Sequence, residues 1–202
     1  MIPAEPDATA DLGLRDRKKL ATRARIHREA VTLALRHGVD GVTADSIATA
    51  AEVSPRTFFN YFPTKEDAFV GVDPATADRL AGEVVARPAG ESALTAVRHV
   101  LLGHLTALEA DTEIWRMRRE LAAREPALAA RLAGANDRLE AALVAAAYER
   151  SRTDPARDMM PALGARVAMA AVRTAVGGHV ASGFRGSLRR RLDEAFAVVD
   201  PG

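Results

Sequence analysis

The sequence contains no cysteine, and only 4% of its 202 residues are aromatic. Without cysteine there can be no disulfide framework, no thiolate metal site and no cysteine nucleophile. Such a composition suits a reducing compartment, and we expect a cytoplasmic location. Few aromatics together with abundant alanine favour closely packed helices over a β-sandwich, which needs more β-branched and aromatic residues. The predicted fold class is therefore all-α.

Long apolar runs are also missing. No stretch approaches the roughly 20 apolar residues that a membrane-spanning helix needs. The N-terminal residues 1–13 are acidic and contain no apolar segment, so they do not resemble a signal peptide. We expect residues 1–13 to be a disordered tail, and we expect no membrane partner.

Catalytic motifs are absent as well. The sequence has no glycine-rich phosphate loop, no GxSxG elbow and no HExxH helix. Its five histidines, at positions 27, 37, 99, 104 and 179, lie at no metal-ligand spacing. We therefore predict no enzyme activity, no cofactor and no metal, which disfavours a helical enzyme as the function.

The formal net charge is only +1, but the charges are unevenly placed. Residues 15–36 carry eight arginines and lysines against Asp16 and Glu29, and lysine occurs only at positions 18, 19 and 65. A basic patch on a nearly neutral protein is typical of a surface that binds phosphates. The first helix of the chain, predicted at about 16–37, carries this patch.

Residues 43–65 read TADSIATAAEVSPRTFFNYFPTK and predict two short helices joined by a tight turn. Thr43 is a good N-cap for the first helix, and Ser54-Pro55 starts the second with proline where its missing N–H costs nothing. Pro63 ends the second helix, and Thr64 caps a third. This arrangement is the sequence form of a helix-turn-helix, in which the N-terminal end of the second helix contacts base edges.

The same stretch follows a known family pattern at many positions. The matching residues are Gly38, Val42-Thr43, Ile47-Ala48, Ala51-Glu52-Val53-Ser54, Thr57, Phe59, Tyr61-Phe62 and Lys65-Glu66. Through them, residues 15–66 resemble the DNA-binding domain of the TetR family of bacterial transcriptional repressors. The variant SPRTFFxYFPTKE, preceded by GLRxRKK at residues 13–19, resembles one large subgroup whose C-terminal domain binds acyl-CoA-like ligands.

The resemblance implies a domain organisation and partners. Residues 14–66 would form a three-helix helix-turn-helix DNA-binding domain, and residues 67–202 a helical domain for ligand binding and dimerisation. The protein would be a homodimer that binds double-stranded operator DNA and a small-molecule effector, and would act as a repressor released from a palindromic operator. The implied DNA-binding residues are Arg15, Arg17, Lys18, Lys19, Thr43, Ala44, Ser54, Pro55, Arg56, Thr57, Asn60, Tyr61, Thr64 and Lys65.

Two residues depart from the family pattern. Glu52 stands where the turn usually has glycine, and a non-glycine residue with positive φ costs on the order of 1 kcal/mol. Phe59 stands where many members have a tyrosine that binds a DNA phosphate. Because phenylalanine lacks the hydroxyl, Tyr61 and Lys65 become the better phosphate candidates.

Beyond residue 66 the pattern is helical. Asp73-Pro74 predicts a kink or break, because the residue before proline avoids helical geometry. Large adaptable side chains and polar residues on apolar stripes mark candidates for a ligand pocket. The candidates are His104, Trp115, Arg118, Asn136, Met169 and Arg173. Each also has an ordinary interpretation as a satisfied core residue, a surface residue or part of a dimer seam.

Two alternatives stay open in the C-terminal part. The alanine- and glycine-rich helix predicted from Pro161 to about Ser182 could pack tightly inside one subunit, or could form a dimer interface with the last helix. The family resemblance favours the dimer. The protein could also be a constitutive DNA-binding dimer without an effector, and a cavity among the C-terminal helices would distinguish this from a ligand-responsive regulator.

Overall fold

The computed structural model describes residues 14–109 and 111–200. Within these residues the chain forms ten helices and no strand, which confirms the all-α prediction. The tail predicted for residues 1–13 lies outside the described residues. The helices in chain order are α1 (Leu14–His37), α2 (Ala44–Ala50), α3 (Pro55–Tyr61), α4 (Lys65–Val70), α5 (Thr76–Val85), α6 (Ala93–Glu109), α7 (Thr112–Arg124), α8 (Pro126–Ser151), α9 (Met160–Ala181) and α10 (Leu188–Val199).

The chain folds into two compact units. The first contains the described residues up to Val72 together with Glu113–Leu132, and the second contains Asp73–Thr112 and the residues from Ala133 onward. Helix α7 and the first turns of α8 thus belong with α1–α4, and α8 passes from one unit to the other as a continuous helix. The predicted boundary after residue 66 concerns functional domains and stays a prediction.

The helix-turn-helix elements begin where the capping residues predict. Each of the three N-cap side chains accepts a hydrogen bond from the backbone N–H three residues later, at 3.1 Å. This satisfies one of the four unpaired N–H groups at each helix start. The capping residues are Thr43, Ser54 and Thr64.

The turn between α2 and α3 follows the hydrogen-bond pattern of a helix C-terminus closed by a left-handed residue. The N–H of Val53 donates to the carbonyl of Ala48 at 2.9 Å, and the N–H of Glu52 donates to that of Thr49 at 3.1 Å. Glu52 has φ of +51°, so a glutamate occupies the position that favours glycine. The strain predicted from the sequence is therefore present.

The core of the first unit lies between α1, α2, α3 and α4, with α1 packed against both α2 and α4. Its largest members are completely buried, and they include three of the six phenylalanines. Concentrating the aromatic side chains here lets short helices bury a large apolar area per residue. The completely buried large residues are Ile26, Ile47, Phe58, Phe62 and Phe69.

The predicted break after α4 is confirmed. Helix α4 ends at Val70, Gly71 follows with φ of +72°, and α5 begins only at Thr76. The N–H of Ala75 donates to the Asp73 carboxylate at 3.0 Å, which stabilises the turn before α5.

In the second unit α9 is the central helix and packs against α6 and α10. A Cβ added at Gly164 would lie 2.8 Å from the backbone nitrogen of Leu94, so the start of α6 approaches α9 too closely for any larger residue. The small side chains of α9 are buried within the single chain, namely Ala165, Ala168, Ala171 and Ala175. This face of α9 therefore serves tight packing inside the subunit, and a dimer would need a different face.

None of the described helices combines the length and the apolar character that crossing a membrane requires.

We predict that Glu52→Gly raises the free energy of unfolding by about 1 kcal/mol, because glycine adopts positive φ without steric conflict. Urea denaturation of the two proteins measures the difference. Glu52→Ala is the matched control: it removes the same exposed side chain but keeps a Cβ, and should give no comparable gain. Equal stability of the glycine and alanine variants would contradict the prediction.

Candidate nucleic-acid interface

Helix α3 has a buried side and an exposed side. Phe58 and Phe62, one turn apart, are completely buried and anchor α3 in the core of the first unit. The exposed residues of α3 are Pro55, Arg56, Phe59 and Asn60. On a helical projection these four form one continuous arc, so α3 presents a single open face that the core does not use.

Among the predicted base-contacting residues, Arg56 and Asn60 lie on this open face. Thr57 is half-buried, and its hydroxyl lies 2.8 Å from that of Ser54, the N-cap of α3. The Tyr61 side chain is also half-buried and packs against the core. Arginine and asparagine can each form paired hydrogen bonds with base edges in a major groove. The structure thus leaves the two best donors of α3 available.

The basic start of α1 is exposed. Arg17, Lys18 and Lys19 all point to solvent, whereas the side chain of Arg15 lies outside the described part. At the start of α2, Thr43 is exposed and Ala44 is half-buried. The predicted phosphate-contacting residues at the N-terminus therefore carry accessible positive charge.

Arg23, on the next turn of α1, has a structural position instead. Its guanidinium donates to the carbonyl of Tyr61 at 2.6 Å and to that of Val72 at 3.0 Å. The same group stacks 4.1 Å from the centre of the Phe62 ring. Arg23 therefore joins α1 to the ends of α3 and α4. Sequence reasoning treated it only as part of the basic patch, although its spacing from Ile26, on the buried stripe of α1, could have indicated an inward direction.

Lys65 also makes internal hydrogen bonds. Its Nζ donates to the carbonyls of Val39 and Val42, both at 2.9 Å, and so fixes the connector between α1 and α2. An ammonium group has three donors, so one N–H remains beyond these two bonds. The predicted phosphate contact of Lys65 stays a prediction, and the residue has a supporting role in the fold besides.

The C-terminal end of α4 is held by side chains from α1. The imidazole Nδ1 of His27 donates to the carbonyl of Ala68 at 2.7 Å. A Cβ added at Gly71 would lie 2.4–2.5 Å from the ring atoms of His27, so only glycine fits beside this ring. Burial, together with the charges of the neighbouring Arg118 and Arg23, lowers the pKa of His27 from 6.5 to about 4, against the opposing effect of the Ala68 hydrogen bond.

Helix α7 and the start of α8 contact the same helix α4. Arg118 of α7 donates to the carbonyl of Val70 at 3.4 Å, and burial lowers its pKa. At the other end of α4, Arg131 pairs with Asp67 at 3.2 Å, while Asp67 also accepts a hydrogen bond from Thr64, the N-cap of α4. Both ends of α4 are therefore linked to residues more than 45 positions later in the sequence.

The candidate ligand residues are divided between the two units. Trp115 and Arg118 belong to the first unit. The remaining candidates belong to the second unit, namely His104, Asn136, Met169 and Arg173. The structure therefore does not bring all six together within one unit.

Within the second unit the environments of the candidates differ. Met169 of α9 is buried, whereas Asn136 is exposed and Arg173 forms an exposed ion pair with Glu140 at 2.6 Å. His104 of α6 is half-buried, its Nδ1 lies 3.4 Å from a guanidinium nitrogen of Arg79, and burial together with this charge lowers its pKa to about 4. Their ligand role stays a prediction.

A short helix with an exposed polar face, joined by a tight turn to a second helix and placed beside a basic helix, defines a helix-turn-helix protein. Residues 26–72 match the family model described as bacterial regulatory proteins, tetR family, and residues 91–202 match the model described as MftR C-terminal domain. The second match alone covers more than half of the sequence. The chain belongs to the TetR family of bacterial transcriptional regulators, a family of regulators and not of enzymes.

Individual relatives agree with this family. The chain is 41% identical over 85 residues to the HTH-type transcriptional regulator TcmR of Streptomyces glaucescens, a match that covers 42% of this chain and 38% of that protein. Its fold is similar to that of SmeT in a complex with triclosan, with a TM-score of 0.56, 20% identity and coverage of 88% and 91% of the two chains. The fatty acid degradation regulator FadR from Bacillus halodurans gives a TM-score of 0.55 at 18% identity, covering 87% of this chain and 96% of that one.

The depressed pKa of His27 predicts a loss of stability in mild acid. Between its ordinary value of 6.5 and the folded value of about 4, the unfolded chain binds a proton that the folded chain does not, so stability falls as pH falls. Replacing the imidazole with a group that does not titrate, in His27→Gln, should reduce this fall by about 2 kcal/mol between about pH 7.5 and about pH 5. Urea denaturation at the two pH values measures it.

His37→Gln is the control for the loss of one imidazole from α1, since His37 lies exposed at the end of that helix. The fall in stability between the two pH values should be smaller in His27→Gln than in His37→Gln. An unchanged pH dependence in His27→Gln would show that the His27 ring is not the group responsible.

Proposed function

We propose that this chain is a dimeric, DNA-binding transcriptional repressor that leaves a palindromic operator when a small molecule binds its C-terminal domain. The observation that carries the proposal is the open face of α3, where Arg56 and Asn60 are exposed in the same unit as the basic start of α1. Double-stranded DNA as the partner requires a cytoplasmic location. The TcmR match spans only 38% of that protein.

For DNA we propose two sets of contacts. Arg56, Thr57 and Asn60 would contact bases, because the N-terminal end of the second helix of a helix-turn-helix enters the major groove. The remaining residues would position the protein on phosphates and sugars, which gives affinity without sequence preference. They are Arg15, Arg17, Lys18, Lys19, Thr43, Ser54, Tyr61, Thr64 and Lys65, whereas Pro55 and Ala44, whose side chains have no hydrogen-bonding group, would lie near the base edges.

For the dimer we propose the exposed sides of α9 and α10. The inward-facing small residues of α9 already pack against α6 and α10. The partner subunit would therefore contact the exposed stripe of α9, which runs through Leu163, Ala170, Thr174 and Gly177. On α10, Val198 is 82% exposed, and a dimer interface would give this apolar side chain a partner. A two-fold dimer would bind two symmetric half-sites.

For the effector we propose an acyl-CoA-like molecule, which the subgroup resemblance implies. Its site would lie in the second unit near His104 and Met169, which belong to the mutually packed helices α6 and α9. Apolar walls with few polar groups are typical of small-molecule sites. The relative named as a fatty acid degradation regulator is consistent with such a ligand, and SmeT holds triclosan.

For the coupling we propose that α4 transmits the ligand signal. Helix α4 lies beside α3 in sequence, its C-terminal end leads directly to α5 of the second unit, and its two ends are linked to Arg118 and Arg131. Helix α8, which carries Arg131, continues into the second unit. A shift of α7 or α8 would therefore act on α4 directly, and α8 as well as the segment after α4 connects the units.

We predict that selection from random double-stranded DNA yields a palindrome whose half-sites are about 34–36 Å apart, or a multiple of this.

Arg56→Ala should relax the preference at one base pair of each half-site by about 1–3 kcal/mol. Lys18→Ala should instead weaken binding to all sequences about equally and lower the salt slope by about one, as loss of a phosphate contact does. Fluorescence anisotropy titrations with matched and mismatched duplexes distinguish the two patterns.

Selection of a non-palindromic sequence would contradict the dimeric mode of binding. A uniform loss of affinity in Arg56→Ala would show that Arg56 contacts phosphate.

We also predict that ligand and operator weaken each other by the same factor, since coupling between two binding sites is reciprocal, at about 1.4 kcal/mol for each tenfold change. A panel of acyl-CoA thioesters would be titrated with and without saturating operator, with free CoA as the control ligand. Arg131→Ala removes the exposed ion pair with Asp67. It should reduce the factor by which operator weakens ligand binding by up to about fivefold, the range of an exposed ion pair. Arg124→Ala removes an exposed pair within α7 and is the matched control.

Equal ligand affinity with and without operator would mean that the sites are uncoupled. If no panel member binds or releases the DNA, the constitutive DNA-binding dimer becomes the better description.

A further inference from the structure

Phe59 is an apolar ring on the open face of α3. It is 53% exposed, whereas the neighbouring Phe58 and Phe62 are completely buried. On the helical projection Phe59 falls between Pro55 and Arg56, within the arc proposed to face bases. A single exposed apolar ring is common on protein surfaces, but this one lies on the face proposed to meet DNA, where it is available to a partner outside the chain.

The Phe59 ring is held in place by its own chain, before any external partner binds. Phe59 and Phe58 form an edge-to-face pair, with ring centres 5.2 Å apart and planes at 88°. Because Phe58 is completely buried, it provides a fixed support for the exposed ring. Binding a partner would therefore require little ordering of Phe59.

The chemistry of the ring restricts what it can recognise. A phenyl group has no hydrogen-bond donor or acceptor, so it can bind neither a phosphate oxygen nor a base edge through a hydrogen bond. In a major groove the apolar feature that distinguishes one base from the others is the C5-methyl group of thymine. A phenylalanine among groove-facing residues matches that methyl group.

We infer that Phe59 contacts the C5-methyl group of one thymine in each operator half-site and makes this thymine part of the recognised sequence. The inference rests on the proposed function, since it requires α3 to enter the major groove. It adds a specificity-determining residue beside Arg56, so that a polar and an apolar contact would recognise neighbouring positions.

The test uses the full-length protein and the operator selected from random DNA. Each thymine of the half-site is replaced in turn by deoxyuridine, which removes only the methyl group and keeps all hydrogen-bonding groups. At one position the wild-type protein should lose about fourfold in affinity per half-site, the effect of burying one methyl group. Phe59→Ala should show no loss at that position, while Arg56→Ala, the matched variant on the same face, should retain it.

Phe59→Tyr distinguishes a ring that lies against the DNA backbone. If the ring lies against the backbone, the added hydroxyl would reach a phosphate and strengthen binding to all sequences equally. No deoxyuridine substitution would then affect binding, and this result would overturn the inference. The inference also fails if deoxyuridine has no effect on the wild-type protein, a result that does not depend on any variant's folding. In both cases specific operator binding remains and the proposed function stands, whereas failure to select any DNA would overturn both.

Discussion

The C-terminal end of α4 is the point on which the first unit depends. A six-residue helix is too short to be stable alone, and its last carbonyls have no partner within the helix. Here His27 and Arg118 donate to the carbonyls of Ala68 and Val70, and Arg23 donates to that of Val72, just beyond the helix. Positive groups at a helix C-terminus are also favourable for its dipole. Helices α1 and α7 are thus joined to one short helix.

This arrangement positions the candidate interface. Arg23 also binds the carbonyl of Tyr61, the last residue of α3, so the same guanidinium fixes the ends of α3 and α4 relative to α1. Lys65 ties the start of α4 to the connector between α1 and α2. The basic residues of the N-terminal part therefore divide into an internal set that holds the helices and an exposed set, near Lys18, that is available to phosphates. Net charge alone could not separate the two.

Sequence patterns within a few residues predicted much of this fold, including the turn in which Glu52 reduces stability. Capping threonines and serines set the starts of α2, α3 and α4, because each cap bonds a backbone group only three residues away. The strain at Glu52 was also predictable from the sequence, because the turn requires positive φ at that residue. By contrast, the small residues of α9 were compatible with a subunit core or a dimer seam, and only the packing of α6 and α10 against α9 decided for the core.

The sequence by itself determined the helix-turn-helix, its helix ends, the all-α class and the family, because these depend on hydrogen bonds and apolar spacing within a few residues. Tertiary structure alone decided which arginines support the fold and that α7 joins the first unit. Those features depend on partners 38 positions away for Arg23 and Tyr61, and 64 positions away for Arg131 and Asp67. A pattern of neighbouring residues carries no information about contacts at such separations, which form only when the helices pack.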